Sequence, residues 1–340
     1  MLRKTIAALL LVLLVFTTAC AKIPQQTVAG TVKTVTDQAG RQVKLPDDVE
    51  TVAMMFSIPT SLLLALGVGD RLVAVGATWG IQTLIEPSLE TIGTVGRGQL
   101  DMESLAAYNP DVFLHKASDP ATLEVVAKLG IPALGLTTES TAEVLEAITV
   151  LGEVFNRQAR AAELVEYYHS KMELANRIVA QIPADERKTA IVMGSEIGKV
   201  AGGNMLQSFM IETAGGINCA QDVESQQAWP VVGTEKIFAW NPDFIFCTNG
   251  SASEYEAADL LHDPTWQNMN AVKNNRVLLV PTDKDSWEYP SLSTCLGFLW
   301  MLCQMYPEYY SEADFLQEVD LFYQTAYGMT FNLEFLGYRT

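Results

Sequence analysis

The residues able to do acid–base, nucleophilic or metal chemistry are few and scattered. The 340-residue chain has three histidines, His115, His169 and His262, and neither a His-Glu-x-x-His pair nor a histidine-rich cluster. A bare zinc or manganese site is therefore not expected. The five cysteines contain no Cys-x-x-Cys pair, which removes zinc-ribbon and dithiol redox chemistry. Cys295 and Cys303 stand too far apart on one expected helix to bridge. Cys219 and Cys247 could pair in an exported protein or stay as buried thiols. Gly194 to Lys199 imitates a phosphate loop, but its spacing is one residue short and Val200 stands where Ser or Thr is required. Gly93, Gly96 and Gly98 miss the dinucleotide fingerprint, and no Gly-x-Ser-x-Gly elbow occurs. Asp283 and Asp285 read as decoration of a loop. With no catalytic constellation, the chain is read as a binder and not as an enzyme.

The elements that must position any site alternate short apolar strands with helical patterns, as in an α/β layered fold. Thr51 to Phe56 reads as a strand, with Ser57 as N-cap and Pro59 in the first turn of a helix that stops at Gly67. Further strands are expected at Arg71 to Gly76, Asp111 to His115 and Pro132 to Leu136; Asp119-Pro120 opens a helix running to Gly130. Arg157 to Ile182 contains no Gly or Pro and places Ala162, Val165, Tyr168, Met172, Ala175, Ile178 and Val179 at helical spacing. Such a helix reads as a rigid strut between two α/β halves. Strands then resume at Thr189 to Met193, Asp243 to Thr248 and Arg276 to Pro281. Helices follow the pattern at Asn204 to Ala214, Ser291 to Tyr306 and Glu312 to Ala326. The halves echo each other. Glu103, Ala107, Asn109, Pro110 and Asp111 recur as Glu235, Ala239, Asn241, Pro242 and Asp243, with Tyr108 and Trp240 filling the aromatic place.

The N-terminus reads as an export signal. Arg3 and Lys4 precede an apolar run from Thr5 to Phe16, too short to span a bilayer, and Thr17-Thr18-Ala19-Cys20 resembles a bacterial lipobox. Lipidated Cys20 would tether the chain to a membrane without a spanning helix. The organisation expected is a signal over 1–19, a tether over 20–35, a first lobe over 36–156, a linking helix over 157–183 and a second lobe over 184–340. A formal charge of −18 excludes nucleic acid and anionic membrane surfaces as partners and suits a basic protein surface.

Thr36 to Pro46 looks like the opening hairpin of the class III periplasmic binding proteins of ABC importers, which take iron-siderophores, haem and cobalamin. Leu63 to Gly76, Thr91 to Asp111, the strut, Trp229 to Asp243 and Trp287-Glu288-Tyr289-Pro290-Ser291 fit that family in order. The resemblance implies two Rossmann-like lobes joined by one long rigid helix, with ligand in the cleft between them. It implies a monomeric, exported, lipid-anchored protein without a cofactor of its own. Its partners would be a permease dimer with a cytoplasmic ATPase and a small metal complex carrying iron or cobalt. It also gives Glu103 and Glu235 the role of docking to permease arginines; by position alone each suits the positive end of its helix.

Clefts in such folds lie beyond the C-terminal ends of parallel strands. The expected contacts are Phe56, Ser57, Trp79, Arg97 and Lys116 from the first lobe, and Ser195, Trp229, Asn249, Trp287 and Tyr289 from the second. Three of the six tryptophans fall in these loops, which favours a bulky chelate, with Arg97 and Lys116 meeting its acidic groups. Trp287 leads this set. His115 or Tyr289 would ligate iron only if the cargo were haem. The alternative cargo is molybdate or another small oxyanion, held by Ser57, Ser195 and Ser251 in a narrower cleft. A lipid-anchored enzyme on the same fold is the remaining alternative.

Overall fold

The hairpin comes first. β1 (Val32–Thr36) and β2 (Gln42–Pro46) pair antiparallel with Val35 opposite Val43. Asp37 closes the turn: its carboxylate accepts from the Ala39 and Arg41 amides and reaches across to the amide of Gly135. β1 therefore begins inside the span expected to be tether. The structure, a computed structural model, describes residues 31–340 except 79, 225–228, 249–253, 282–283, 335, 337 and 339–340. Val32–Thr340 is one compact unit; the leader and Cys20 lie outside the described residues.

Two parallel four-stranded sheets follow. The first contains β3 (Val52–Met54), β4 (Leu72–Val75), β5 (Val112–Lys116) and β6 (Ala133–Leu136), in the order β4-β3-β5-β6. The second contains β7 (Thr189–Met193), β8 (Ile217–Asn218), β9 (Phe244–Cys247) and β10 (Val277–Leu279), in the order β8-β7-β9-β10. These orders are the same once each lobe's first strand is aligned. β3 and β9 are buried at every position, as sheets covered on both faces must be.

The covering helices of the first lobe are α1 (Ile58–Ala65), α2 (Gly80–Ile85), α3 (Met102–Tyr108), α4 (Pro120–Lys128) and α5 (Thr141–Val154). Asp119 caps α4 by accepting from the Thr122 amide, and Ser140 with Glu143 forms a capping box on α5. Ser57 holds the N-cap position of α1 as expected, but its backbone is already helical and its side chain makes no cap bond. The linking helix α6 (Gln158–Val179) has 22 residues, about 33 Å, so it is shorter than the span read from the sequence.

The second lobe adds α7 (Leu206–Thr213), α8 (Thr234–Trp240), α9 (Ala257–His262), α10 (Asn270–Lys273), α11 (Thr294–Met305) and α12 (Glu312–Tyr327). The last two helices pack back on α6, and one hydrophobic core runs from β3 through α6 to α11 and α12. Arg160 on α6 ties this corner together by donating to the carbonyls of Ala65, Thr325 and Ala326. Lys171 on α6 and Glu318 on α12 form a part-buried ion pair at 2.6 Å. Cys219, Cys247, Cys295 and Cys303 are all free, so the Cys219–Cys247 pairing is not formed.

The repeated segment is a structural repeat. α3 and α8 both end on an asparagine at φ 44°, ψ 57°, a left-handed cap that Asn tolerates. The following aspartates then repeat one bracket. Asp111 accepts from the Thr51 amide (2.9 Å) and hydroxyl (3.0 Å), and the Thr51 hydroxyl accepts from the Asp111 amide (2.9 Å). Asp243 does the same with Thr189, at 3.0, 2.9 and 3.1 Å. Each bracket fixes a lobe's central strand to its neighbour.

Candidate functional site: the interlobe cleft

The C-terminal ends of β3, β4 and β5 present Phe56-Ser57, Ala77-Thr78 and Lys116; those of β7 and β10 present Gly194-Ser195-Glu196 and the run from Lys284 to Tyr289. These loops meet. The Ile81 amide at the start of α2 donates to the Lys284 carbonyl at 3.1 Å. At Gly80 a Cβ would stand 2.9 Å from Cδ of Lys284, so a larger residue here would push the lysine side chain aside while the two backbones stay in ordinary contact.

Of the expected first-lobe contacts, Phe56 and Ser57 are half-buried at the cleft, and Arg97 and Lys116 are exposed. Ser57 keeps its hydroxyl free of capping, while its carbonyl accepts from Gln82 Nε2 at 3.1 Å. Phe56 lies edge-on to His115, whose ring stacks on Phe113. His115 is buried; its Nε2 lies 3.0 Å from Asp119 Oδ2 and its Nδ1 has no partner. The Asp119 carboxyl is held down to about 2, chiefly by hydrogen bonding from the Thr122 hydroxyl and then from His115. Trp79 and Asn249 lie outside the described residues, as does Ser251.

In the second lobe Ser195 and Trp229 are half-buried and adjacent. The Trp229 ring packs so tightly over Gly194 that a Cβ there would lie 2.9 Å from it. Tyr289 is 42% exposed.

Trp287 is the correction. It is 0% exposed, edge-on to Phe315, with its indole N–H donating to the Tyr323 hydroxyl at 3.0 Å. The indole is core packing between the cleft loop and α12, because a ring of this size with one N–H is fully satisfied there. It does not line the cleft.

Sequence reasoning also misplaced Asp285, which is buried and not loop decoration. The Tyr323 hydroxyl donates to its Oδ2 (2.8 Å) and the Ser293 hydroxyl to its Oδ1 (3.1 Å). Glu288 is 1% exposed, and neither carboxylate oxygen has a hydrogen-bond partner. Burial pushes both carboxyls up, Asp285 to about 6 and Glu288 to about 8, the latter helped by the charge of Asp285. The available signal was the polar run Ser291 to Thr294 leading into an otherwise apolar helix. That run supplies hydroxyls for a buried acid.

Glu103 and Glu235 are both exposed in the first turns of α3 and α8, and neither makes an ion pair among the described residues. His169 is exposed on α6, where it lines a groove of ≈ 450 Å³ against α5 that is not built from the cleft loops. Among the described residues no group of three His, Cys, Asp or Glu is arranged to hold a metal ion, and no helix is long and apolar enough to cross a membrane.

Two parallel α/β lobes, one linking helix and facing loops define a two-lobed solute-binding protein. The chain matches the family described as "Periplasmic binding protein" over residues 24–283 and belongs to it. It is 24% identical to the molybdate-binding protein MolA of Haemophilus influenzae over 86% of this chain and 90% of that one. It is 25% identical to a vitamin B12-binding protein of Yersinia pseudotuberculosis over 61% of this chain and 72% of that one. A periplasmic solute-binding protein of Veillonella parvula shares the fold at a TM-score of 0.79 and 23% identity, covering 90% of this chain and 96% of that one. MolA in its molybdate-bound structure shares it at 0.75 and 21% identity, covering 88% and 99%. The protein is thus an extracytoplasmic substrate-binding component of an ABC transporter, in a family of solute binders and not of enzymes.

Proposed function

We propose that the cargo is a small oxyanion of the molybdate class. The observation that carries this reading is the interlobe hydrogen bond from Ile81 to the Lys284 carbonyl, which joins the cleft loops of the two lobes directly. Loops in contact leave room for a compact anion more readily than for a macrocycle. Ser57 supports it, because its hydroxyl stands unspent at the N-terminus of α1, where N–H groups and the helix dipole favour an anion. MolA, similar over nearly its whole length, is named for molybdate. Of the three tryptophans behind the expectation of a bulky chelate, Trp287 belongs to the core.

A ferric siderophore, haem or cobalamin is the second reading. Phe56, Trp229 and Tyr289 favour it, since they keep aromatic surface at the cleft. Fluorescence and calorimetric titrations of the mature domain with molybdate, tungstate, a ferric siderophore, haem and cobalamin separate the two. Saturable binding of molybdate and tungstate, with none of the siderophore, haem or cobalamin, is expected. Binding of a chelate without molybdate would sink the oxyanion reading.

The same proposal includes a lipid anchor at Cys20, a permease dimer with its ATPase as partner, and docking through Glu103 and Glu235. Their matched positions on α3 and α8 support docking on a two-fold partner. Glu103→Ala with Glu235→Ala should abolish uptake in cells while the mature domain keeps its affinity within about threefold, less than 1 kcal/mol. Equal loss of both would remove the docking role.

A further inference from the structure

Lys284 to Ser293 is held to the second lobe at many points. Asp285 takes hydrogen bonds from Tyr323 and Ser293, and Trp287 donates to Tyr323. The Gln207 amide donates to the Glu288 carbonyl at 2.9 Å, and the Thr294 hydroxyl to the Tyr289 carbonyl at 2.6 Å. Ser291 and Ser293 share a hydroxyl contact at 2.8 Å. The first residue of this run holds the first lobe through Ile81. One group breaks the pattern: the Glu288 carboxyl is sealed from water with both oxygens unpartnered.

From this geometry we infer that Lys284–Ser293 is a proton-linked latch, which joins the lobes while Glu288 is protonated and releases Ile81 when Glu288 ionises. The inference deepens the reading of this cleft as the binding site but does not depend on which cargo fills it. A neutral carboxyl can be buried at modest cost, whereas a second buried anion beside Asp285 is strongly disfavoured without a partner. Ionisation therefore pulls Glu288 toward water. It is four residues from the carbonyl that makes the interlobe bond, so the run must shift for it to leave.

The other groups facing the pair do not titrate in its place. Tyr289 lies on the same run, Cys295 on α11, and Tyr323 and Tyr327 on α12; burial raises all four. The Lys171–Glu318 ion pair lies beyond Cys295 and is internally neutral. Glu288 is raised to about 8 and Asp285 to about 6, so Glu288 is the group that gains charge above neutrality.

Hydrogen exchange on the ligand-free mature protein tests the latch. The Ile81 amide reports the interlobe bond; the Ile245 amide, bonded to the Arg276 carbonyl at 3.0 Å within the second lobe, is the control. After correction for intrinsic exchange, protection at Ile81 should fall at least tenfold between pH 6 and pH 9 while Ile245 keeps its protection. In Glu288→Gln the fall should vanish. Asp285→Asn should move its midpoint to lower pH, because the neighbouring charge that opposes ionisation is gone. A purely structural role would not move that midpoint, and the variant decides the matter if Glu288→Gln does not fold. Constant protection at Ile81, parallel loss at Ile81 and Ile245, or an unmoved midpoint in Asp285→Asn would overturn the latch. Since no cargo is added, a failed molybdate titration leaves this result standing, and the reverse holds too.

Discussion

The two lobes share one plan, yet their cleft loops differ in how they treat buried charge. In the first lobe the connection after β6 is short and buries no charged side chain. Gln38 accepts from the Thr137 amide, and Ser140 and Glu143 cap α5 at the surface. In the second lobe the connection after β10 is longer and carries Asp285, Trp287 and Glu288 into the interior. Duplicated parts such as the Thr–Asp brackets and the Asn caps hold the scaffold. The loop that departs from the duplication holds the interlobe contact. Scaffold and function therefore separate along the line between what repeats and what does not.

The comparison can be broken most severely at Trp287. Trp287→Ala should cost about 3–5 kcal/mol of stability, measured by urea unfolding, because it leaves a cavity and removes a donor from Tyr323. A normal stability with weakened cargo binding would return Trp287 to the cleft.

Next come the brackets. Asp111→Ala and Asp243→Ala should each cost about 2–3 kcal/mol, since each strands a strand-end amide and a hydroxyl. If the lobes are equivalent scaffolds, the two losses agree within about 1 kcal/mol; a much larger gap would break the equivalence.

Glu288 sharpens the contrast through pH. Its native carboxyl is raised to about 8 from an ordinary 4.5, so the folded state holds more protons than the unfolded state between those values. Unfolding free energy should then fall as pH rises from about 4.5 to about 8, with no penalty below that window and the full penalty above it. Asp285 adds a smaller fall between its ordinary 3.8 and about 6. Glu288→Gln should flatten the upper part of the profile and raise stability at pH 8, read from denaturant melts across pH.

The smallest effect is at the helix starts. Asp101 caps α3 by accepting from the Glu103 and Ser104 amides, whereas α8 begins at Gly233 with no side-chain cap. Asp101→Ala should cost about 1 kcal/mol by the same melts, and Gly233→Ala less than that, because no side-chain cap bond is lost there.

Much of the scaffold was legible because it follows short-range rules. Apolar runs bounded by Gly and Pro marked β7 to the residue, and the helical period placed α6 within three residues at its C-terminal end. The Asn-Pro-Asp repeat was visible because a left-handed cap, a proline and a strand start each demand their own residue type. Ser57 was read correctly as the N-cap position, but no local pattern told that its backbone would already be helical and its hydroxyl left out of the cap. In the cleft, Phe56, Ser57, Lys116 and Ser195 stand at or just past strand C-termini, while Tyr289 lies ten residues beyond β10, and rank among them was not legible.

By itself, the sequence determined two repeated α/β lobes, a linking helix and a glutamate in the first turn of each matched helix. All of these arise from periodicity and local backbone chemistry. Only the tertiary structure decided that Trp287 is core, that Asp285 and Glu288 are buried, and that Ile81 meets Lys284. Trp287 and Asp285 depend on Tyr323, 36 and 38 residues downstream, and the lobes meet through residues about 200 apart. Burial of a charge is a property of what packs around it, and no local pattern of residues specifies that.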